Sequence, residues 1–234
     1  MKRQFTTIAL LAVLGAPAGA LATDFTWNGN TSAYWDEPNW SVGQFSSLNY
    51  PGQSQNGDTA TINADTGNDL IKVDSVINYT VSTVDVDANA AGTNLTLEIQ
   101  SSGKLDTSGL VTLKASLSGT AEAKVIAGSV DFTPYAMRFW GRGDASSGHA
   151  KGDVDENFTV DTDVSVRQYA DFDVAADKTV TVDGNLRIGK NLDDYFGYLK
   201  MTAGTGTLEA ETLVMEGDTV ASTREIAAGT VKTK

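Results

Sequence analysis

Cysteine is absent from this 234-residue chain, histidine occurs once and proline four times. Without cysteine there is no disulfide, no thiolate nucleophile and no Cys-ligated metal, and a lone histidine rules out His clusters for zinc. Positive charge is also scarce: 17 Lys and Arg stand against 30 Asp and Glu, a net charge of −13. Such a surface repels nucleic acid and anionic membranes, and it favours solubility and cations. There is no Gly-x-Ser-x-Gly elbow and no phosphate-binding loop of the P-loop type. Beyond residue 22 no stretch sustains a capped helical period over ten residues, so helices are not expected.

What is present begins with an export signal. Lys2 and Arg3 precede an apolar run from Phe5 to Leu14, followed by Gly15, Pro17 and the small-residue site Ala20-Leu21-Ala22. This is the layout of a secretory signal peptide cleaved after Ala22, and the run is too short to span a bilayer. The mature chain is therefore expected outside the cytoplasm, as an extracellular, cell-surface or periplasmic protein without membrane insertion. Loss of Lys2 and Arg3 takes its charge from −13 to −15. An exported chain without cysteine points to a bacterial source. The Asn-x-Ser/Thr triplets at Asn30, Asn39, Asn78, Asn94 and Asn157 would matter only in a glycosylating host.

From Thr59 onward short segments alternate apolar and polar residues, as in Leu95-Thr-Leu-Glu-Ile99, Leu110-Val-Thr-Leu113, Val164-Ser-Val166 and Val180-Thr-Val182. That is the period of half-buried strands, here separated by Gly, Asn and Asp. A loose phrase, small-Gly-x-Leu/Val-x, returns at Gly103, Gly128, Gly184, Gly206 and Gly229. Its spacing is irregular but near that of a solenoid coil. The chain is thus read as all-β, a parallel β-solenoid, with a Gly-rich antiparallel β-sandwich as the alternative. Five parts are expected: 1–22 signal peptide, 23–58 Trp-rich N-terminal cap, 59–132 first solenoid part, 133–156 loop or insertion, and 157–234 second solenoid part.

The cap carries a resemblance. Trp27-Asn-Gly, Tyr34-Trp35, Asn39-Trp40-Ser41, Pro51-Gly52 and Gly57-Asp58-Thr-Ala-Thr-Ile62 follow in order. The pattern is similar to the mature N-terminus of exported bacterial β-solenoid proteins with autotransporter-associated β-strand repeats or a PEP-CTERM sorting signal. It covers about 40 residues, and the Gly-rich repeat style loosely covers the rest. The resemblance implies a right-handed, single-stranded parallel β-helix that is secreted or displayed on the cell surface. It departs at the far end, where Thr230-Val-Lys-Thr-Lys234 stands in place of a barrel or a sorting signal.

Candidate sites are few. Trp27, Trp35 and Trp40 could form a platform for sugar rings, or plug the end of the core, the reading that the resemblance favours. Arg138, Trp140 and Arg142 gather cationic and aromatic groups on an acidic chain, as a contact surface or as cation–π packing. Arg142-Gly143-Asp144 spells an integrin-binding tripeptide, too short to carry weight. Asp153, Asp155 and Glu156 are the best candidates for Ca²⁺, the only cofactor considered, although no EF-hand loop or Gly-Gly-x-Gly-x-Asp array occurs. The pairs Asp85/Asp87, Asp161/Asp163 and Asp171/Asp173 read as solvated strand faces. For catalysis, Asp171, Asp173, Asp193 and Asp194 with Arg187 or Lys190 have nothing to separate them from surface residues. The expectation is therefore a secreted or surface structural and adhesive, adhesin-like solenoid without catalytic activity. The alternative is a carbohydrate-binding or polysaccharide-degrading β-helix. Expected partners are extracellular polysaccharide, surface proteins or further copies of the chain, and not nucleic acid.

Overall fold

The computed structural model describes residues 22–28, 33–42, 49–64, 68–115, 122–142, 148–189, 197–201, 206–215, 224–227 and 230–234. The expected signal peptide therefore lies outside the described residues, apart from Ala22. Strands β1 (Asp24–Trp27), β2 (Ala33–Tyr34) and β3 (Trp40–Val42) open the chain. They are followed by β4 (Thr59–Ala64), β5 (Asn68–Val73), β6 (Thr83–Ala88), β7 (Asn94–Ile99) and β8 (Leu105–Asp106). Next come β9 (Leu110–Ala115), β10 (Glu122–Ala127), β11 (Phe132–Thr133), β12 (Ala136–Gly141), β13 (Ala150–Val154) and β14 (Phe158–Val160). The chain closes with β15 (Val164–Val174), β16 (Thr179–Ile188), β17 (Gly197–Lys200), β18 (Thr207–Met215), β19 (Arg224–Ala227) and β20 (Thr230–Thr233).

These strands stack in parallel on three faces. The first face runs β1, β4, β6, β9, β12, the start of β15, then the ends of β16 and β18. The second runs β2, β5, β7, β10, β13, the end of β15, β17 and β19. The third pairs β8 with β11 and, further on, β14, the start of β16, the start of β18 and β20. Beyond the cap one coil advances by 20 residues, Ala150 to Ala170, up to 29, Gln168 to Gly197. Among the described residues the one antiparallel pairing is β1 with β3. The molecule is an all-β parallel solenoid, as the alternation and phrase spacing predict, and the sandwich alternative is set aside.

Alternation explains why the strands form and stack. On the first face Ala60, Val84, Val111, Met137, Val164 and Leu186 make one buried column, in register coil upon coil. Each buried Val, Leu or Ile contributes about 1.5–3 kcal/mol of transfer free energy, so the columns hold the stack without disulfides. Four of the recurring glycines, Gly103, Gly128, Gly184 and Gly206, sit where a corner presses on the coil before it. A Cβ on Gly103 would lie 2.0 Å from the Val73 carbonyl oxygen, and one on Gly206 2.3 Å from that of Val174.

One expectation is corrected. The described part of 133–156 is not a loop projecting from the stack: β12 belongs to the first face and β13 to the second. Its alternation is masked because an inward position of β13 is Gly152, in register between Val125 and Phe172. The missing side-chain volume is filled by Phe139 and Phe172, whose rings meet edge to face at 5.1 Å.

Candidate functional site

At the N-terminal end, β1 and β3 close the first face with aromatic rings turned inward. Trp40 lies 4.8 Å from Trp35, 5.1 Å from Trp27 and 6.5 Å from Phe25, all edge to face. All three indoles are buried, and each donates its N–H: Trp35 to the Pro51 carbonyl, Trp40 to the Trp35 carbonyl, Trp27 to Asp69. They offer no open face to a sugar ring. Two buried carboxylates that sequence reasoning gave no role hold this end. Asp58 accepts from the Thr23 and Gly52 backbone N–H groups and from the Gln55 amide, at 2.9, 3.0 and 2.7 Å. Asp69 points inward from β5, and burial raises its pKa, with the Trp27 hydrogen bond opposing.

The calcium candidates do not converge. Lys124 takes Asp153 at 2.8 Å and Lys178 takes Glu156 at 2.6 Å, while Asp155 stands exposed beside them. Among the described residues no group of three or more His, Asp or Glu side chains could hold a metal ion. Asp171 faces the lone histidine instead: His149 is buried, its Nδ1 is 2.8 Å from Asp171, and its ring stacks on Tyr169 at 5.3 Å. Asp173 lies in register with Asp153, and Arg187 pairs with Asp163 at 3.1 Å. Lys190, Asp193, Asp194, Gly143 and Asp144 lie outside the described residues.

Arg138, Trp140 and Arg142 come together with groups that sequence reasoning did not connect to them. Register on the first face puts Trp140 between Lys114 and Arg167, and Arg138 between Thr112 and Ser165, with Arg187 next in that column. Three cations lie against the Trp140 ring: Lys114 at 5.6 Å, Arg142 at 5.9 Å and Arg167 at 5.9 Å. The Trp140 indole N–H donates to Gln168 at 3.0 Å. Gln168 adopts φ 59°, a left-handed turn of the backbone that costs roughly 1 kcal/mol for a residue with a side chain. It lets β15 pass from the first face to the second while its amide anchors the indole.

The stripe is only partly neutralised. Lys114 pairs with Asp87 at 2.8 Å and Arg187 with Asp163. Among the described residues no carboxylate lies within ion-pair distance of Arg138, Arg142 or Arg167. Burial lowers the Arg138 pKa, repulsion from Arg167 lowers it further, and Asp85 opposes both. The Arg138 Nε is buried without a hydrogen-bond partner. Four of the five arginines beyond residue 22 are in this stripe. No family model matches the chain, and neither does any curated protein or solved structure.

Proposed function

We propose that this chain is an exported or cell-surface structural and adhesive β-solenoid without catalytic activity, and that the first-face stripe makes its adhesive contact, with an acidic polysaccharide. The observation that carries the reading is the gathering of Arg142 and Arg167 against the Trp140 ring, with Arg138 two positions away on the same strand, and among the described residues no carboxylate within ion-pair distance of the three. Cation–π contact gathers the charges and leaves their N–H donors for an external anion. A guanidinium matches a carboxylate with two parallel hydrogen bonds, which suits a polymer bearing uronic acids.

The stripe runs across consecutive coils, about 4.8 Å apart, so it presents a row of donors to a chain lying along the solenoid axis. The net charge of the mature chain as a whole, −15 with the stripe included, weighs against nucleic acid. Duplex DNA places one charge about every 1.7 Å, far denser than one carboxylate per sugar. Export is supported by the charged, apolar and small-residue segments of residues 1–22. The resemblance of the cap to autotransporter-like and sorted solenoid proteins points to the same compartments.

The test is incubation of the exported chain with polygalacturonate and with neutral dextran, following both retention and polymer length. The reading expects salt-sensitive retention of polygalacturonate, none of dextran, and no shortening of either polymer. Shortening of the polymer, or equal retention of both, would overturn it.

A further inference from the structure

Asp58 is completely buried, and its described partners are neutral: two backbone N–H groups and the Gln55 amide. Among the described residues no Lys, Arg or His pairs with it. A buried carboxylate held only by neutral donors keeps part of its desolvation cost. One of those donors is the backbone nitrogen of Thr23, 2.9 Å from Asp58 Oδ1. It is also the atom that cleavage after Ala22 converts from an amide into a free amine.

We infer that removal of the signal peptide completes the N-terminal cap: the new α-ammonium of Thr23 becomes the charged partner of the buried Asp58. The inference rests on the export reading and its cleavage site. In the step, hydrolysis of the Ala22–Thr23 peptide bond adds one water. The hydroxyl goes to the Ala22 carboxyl and the hydrogen to the Thr23 amine, which takes a proton from solvent at neutral pH. A hydrogen bond from a neutral amide becomes a charge-assisted one at the same place, which is roughly twice as strong.

The surroundings suit such a lock. Gln55 donates to both Thr23 Oγ1, at 3.2 Å, and Asp58, so one side chain positions both partners. Ala22 is exposed, so the bond is open to a protease. The Thr59 amide donates to the Thr23 carbonyl and the Ser82 amide to the Asp58 carbonyl, which fixes both residues to the coil beyond. The titratable side chains on the segments packed around this point are Asp24, Tyr50, Asp74 and Tyr79, none of them a cation. Asp24 is turned to the Thr59 hydroxyl at 2.6 Å. Before cleavage the cap is thus complete in shape and lacks a counter-charge. The unprocessed chain is the less stable one, and export fixes the fold.

The experiment has two arms. Mass spectrometry of the exported chain gives its first residue; Thr23 is expected, and any other start overturns both the cleavage site and this inference. The second arm compares urea unfolding of the exported chain, of the same chain N-acetylated at Thr23, and of both in the Asp58→Asn background. Acetylation keeps the N–H and removes the charge. At pH 7 it should raise the unfolding constant about tenfold or more, as expected when a buried pair loses one charge. The sign in pH follows from the amine: its unfolded pKa is about 7.7–8.0, and pairing raises it in the folded chain. The stabilisation is therefore full below pH 8 and is lost as pH rises through the folded value. In Asp58→Asn, acetylation should change nothing. Equal stability of acetylated and free chains at pH 7, or the same difference in Asp58→Asn, would refute the ion pair and leave the export reading intact.

Discussion

Gly152 offers the sharpest test of how the core is filled. It faces inward on β13, and a Cβ there would lie 2.9 Å from two ring atoms of Phe172 and 3.2 Å from one of Phe139. Ordinary carbon contacts are about 3.5–4.0 Å, so Gly152→Ala must push the rings by about half an ångström or more. Both rings are buried and wedged edge to face, so neither can swing into water. Overpacking of this kind costs about 1–3 kcal/mol. Gly152 is absent from the positive-φ residues, so alanine's lower unfolded-state entropy returns about 0.4–1 kcal/mol. The net expectation is a loss of about 1–2 kcal/mol, or roughly 2–8 °C in Tm at about 2–4 °C per kcal/mol for a chain of this size. Trimming the obstacle should reverse it: in Phe172→Leu the same Gly152→Ala change should be neutral or stabilising, a coupling of about 1 kcal/mol or more. Thermal and urea unfolding of the four proteins measure the cycle. Strict additivity, or a stabilising Gly152→Ala alone, would refute this account of the packing.

Two further predictions concern buried and paired carboxylates. Burial raises the Asp69 pKa, so the chain loses stability as pH rises from the unfolded value near 3.9 through the folded one. Asp69→Asn should remove that slope, its advantage growing above about pH 4 in urea titrations; a constant offset at all pH values would contradict it. Asp163 behaves oppositely: burial pushes its pKa up, but the Asn185 amides and Arg187 outweigh this and hold it below the ordinary value. Its contribution is present above about pH 4 and disappears as pH falls through the folded value. Arg187→Gln should therefore cost up to about 1 kcal/mol at pH 7, because the pair is partly exposed, and less in acid. A cost that grew on acidification would refute the assignment.

Much of the architecture was legible because Val, Leu and Ile alternate with Thr, Asp and Lys in the strands between Thr59 and Ala115. It failed where side-chain volume moved between faces: the glycine at 152, filled by Phe139 and Phe172, reads as a break in period although the backbone continues. Val164–Val166 reads as a short strand of its own, but Gln168 turns the corner in a left-handed conformation and β15 continues to Val174 without ending the ladder. The stripe was half visible. Arg138, Trp140 and Arg142 are neighbours in sequence, whereas Lys114 and Arg167 arrive from adjacent coils. Coils of 20 to 29 residues give no fixed period from which to read that register. In sequence Asp58 is marked out only by its place in the cap motif, but its role depends on Gly52, Gln55 and Thr23, which only the folded cap brings to it.

The most direct test of the functional account is a titration of polygalacturonate with the exported chain and with its Arg142→Glu/Arg167→Glu variant, with double-stranded DNA as competitor. Both residues lie at the surface, and circular dichroism should show the variant folded. The account predicts that charge reversal weakens binding about tenfold or more, that salt weakens the intact protein more than the variant, and that DNA competes poorly. Equal affinities for the two proteins, or stronger competition by DNA than by free polygalacturonate, would contradict it.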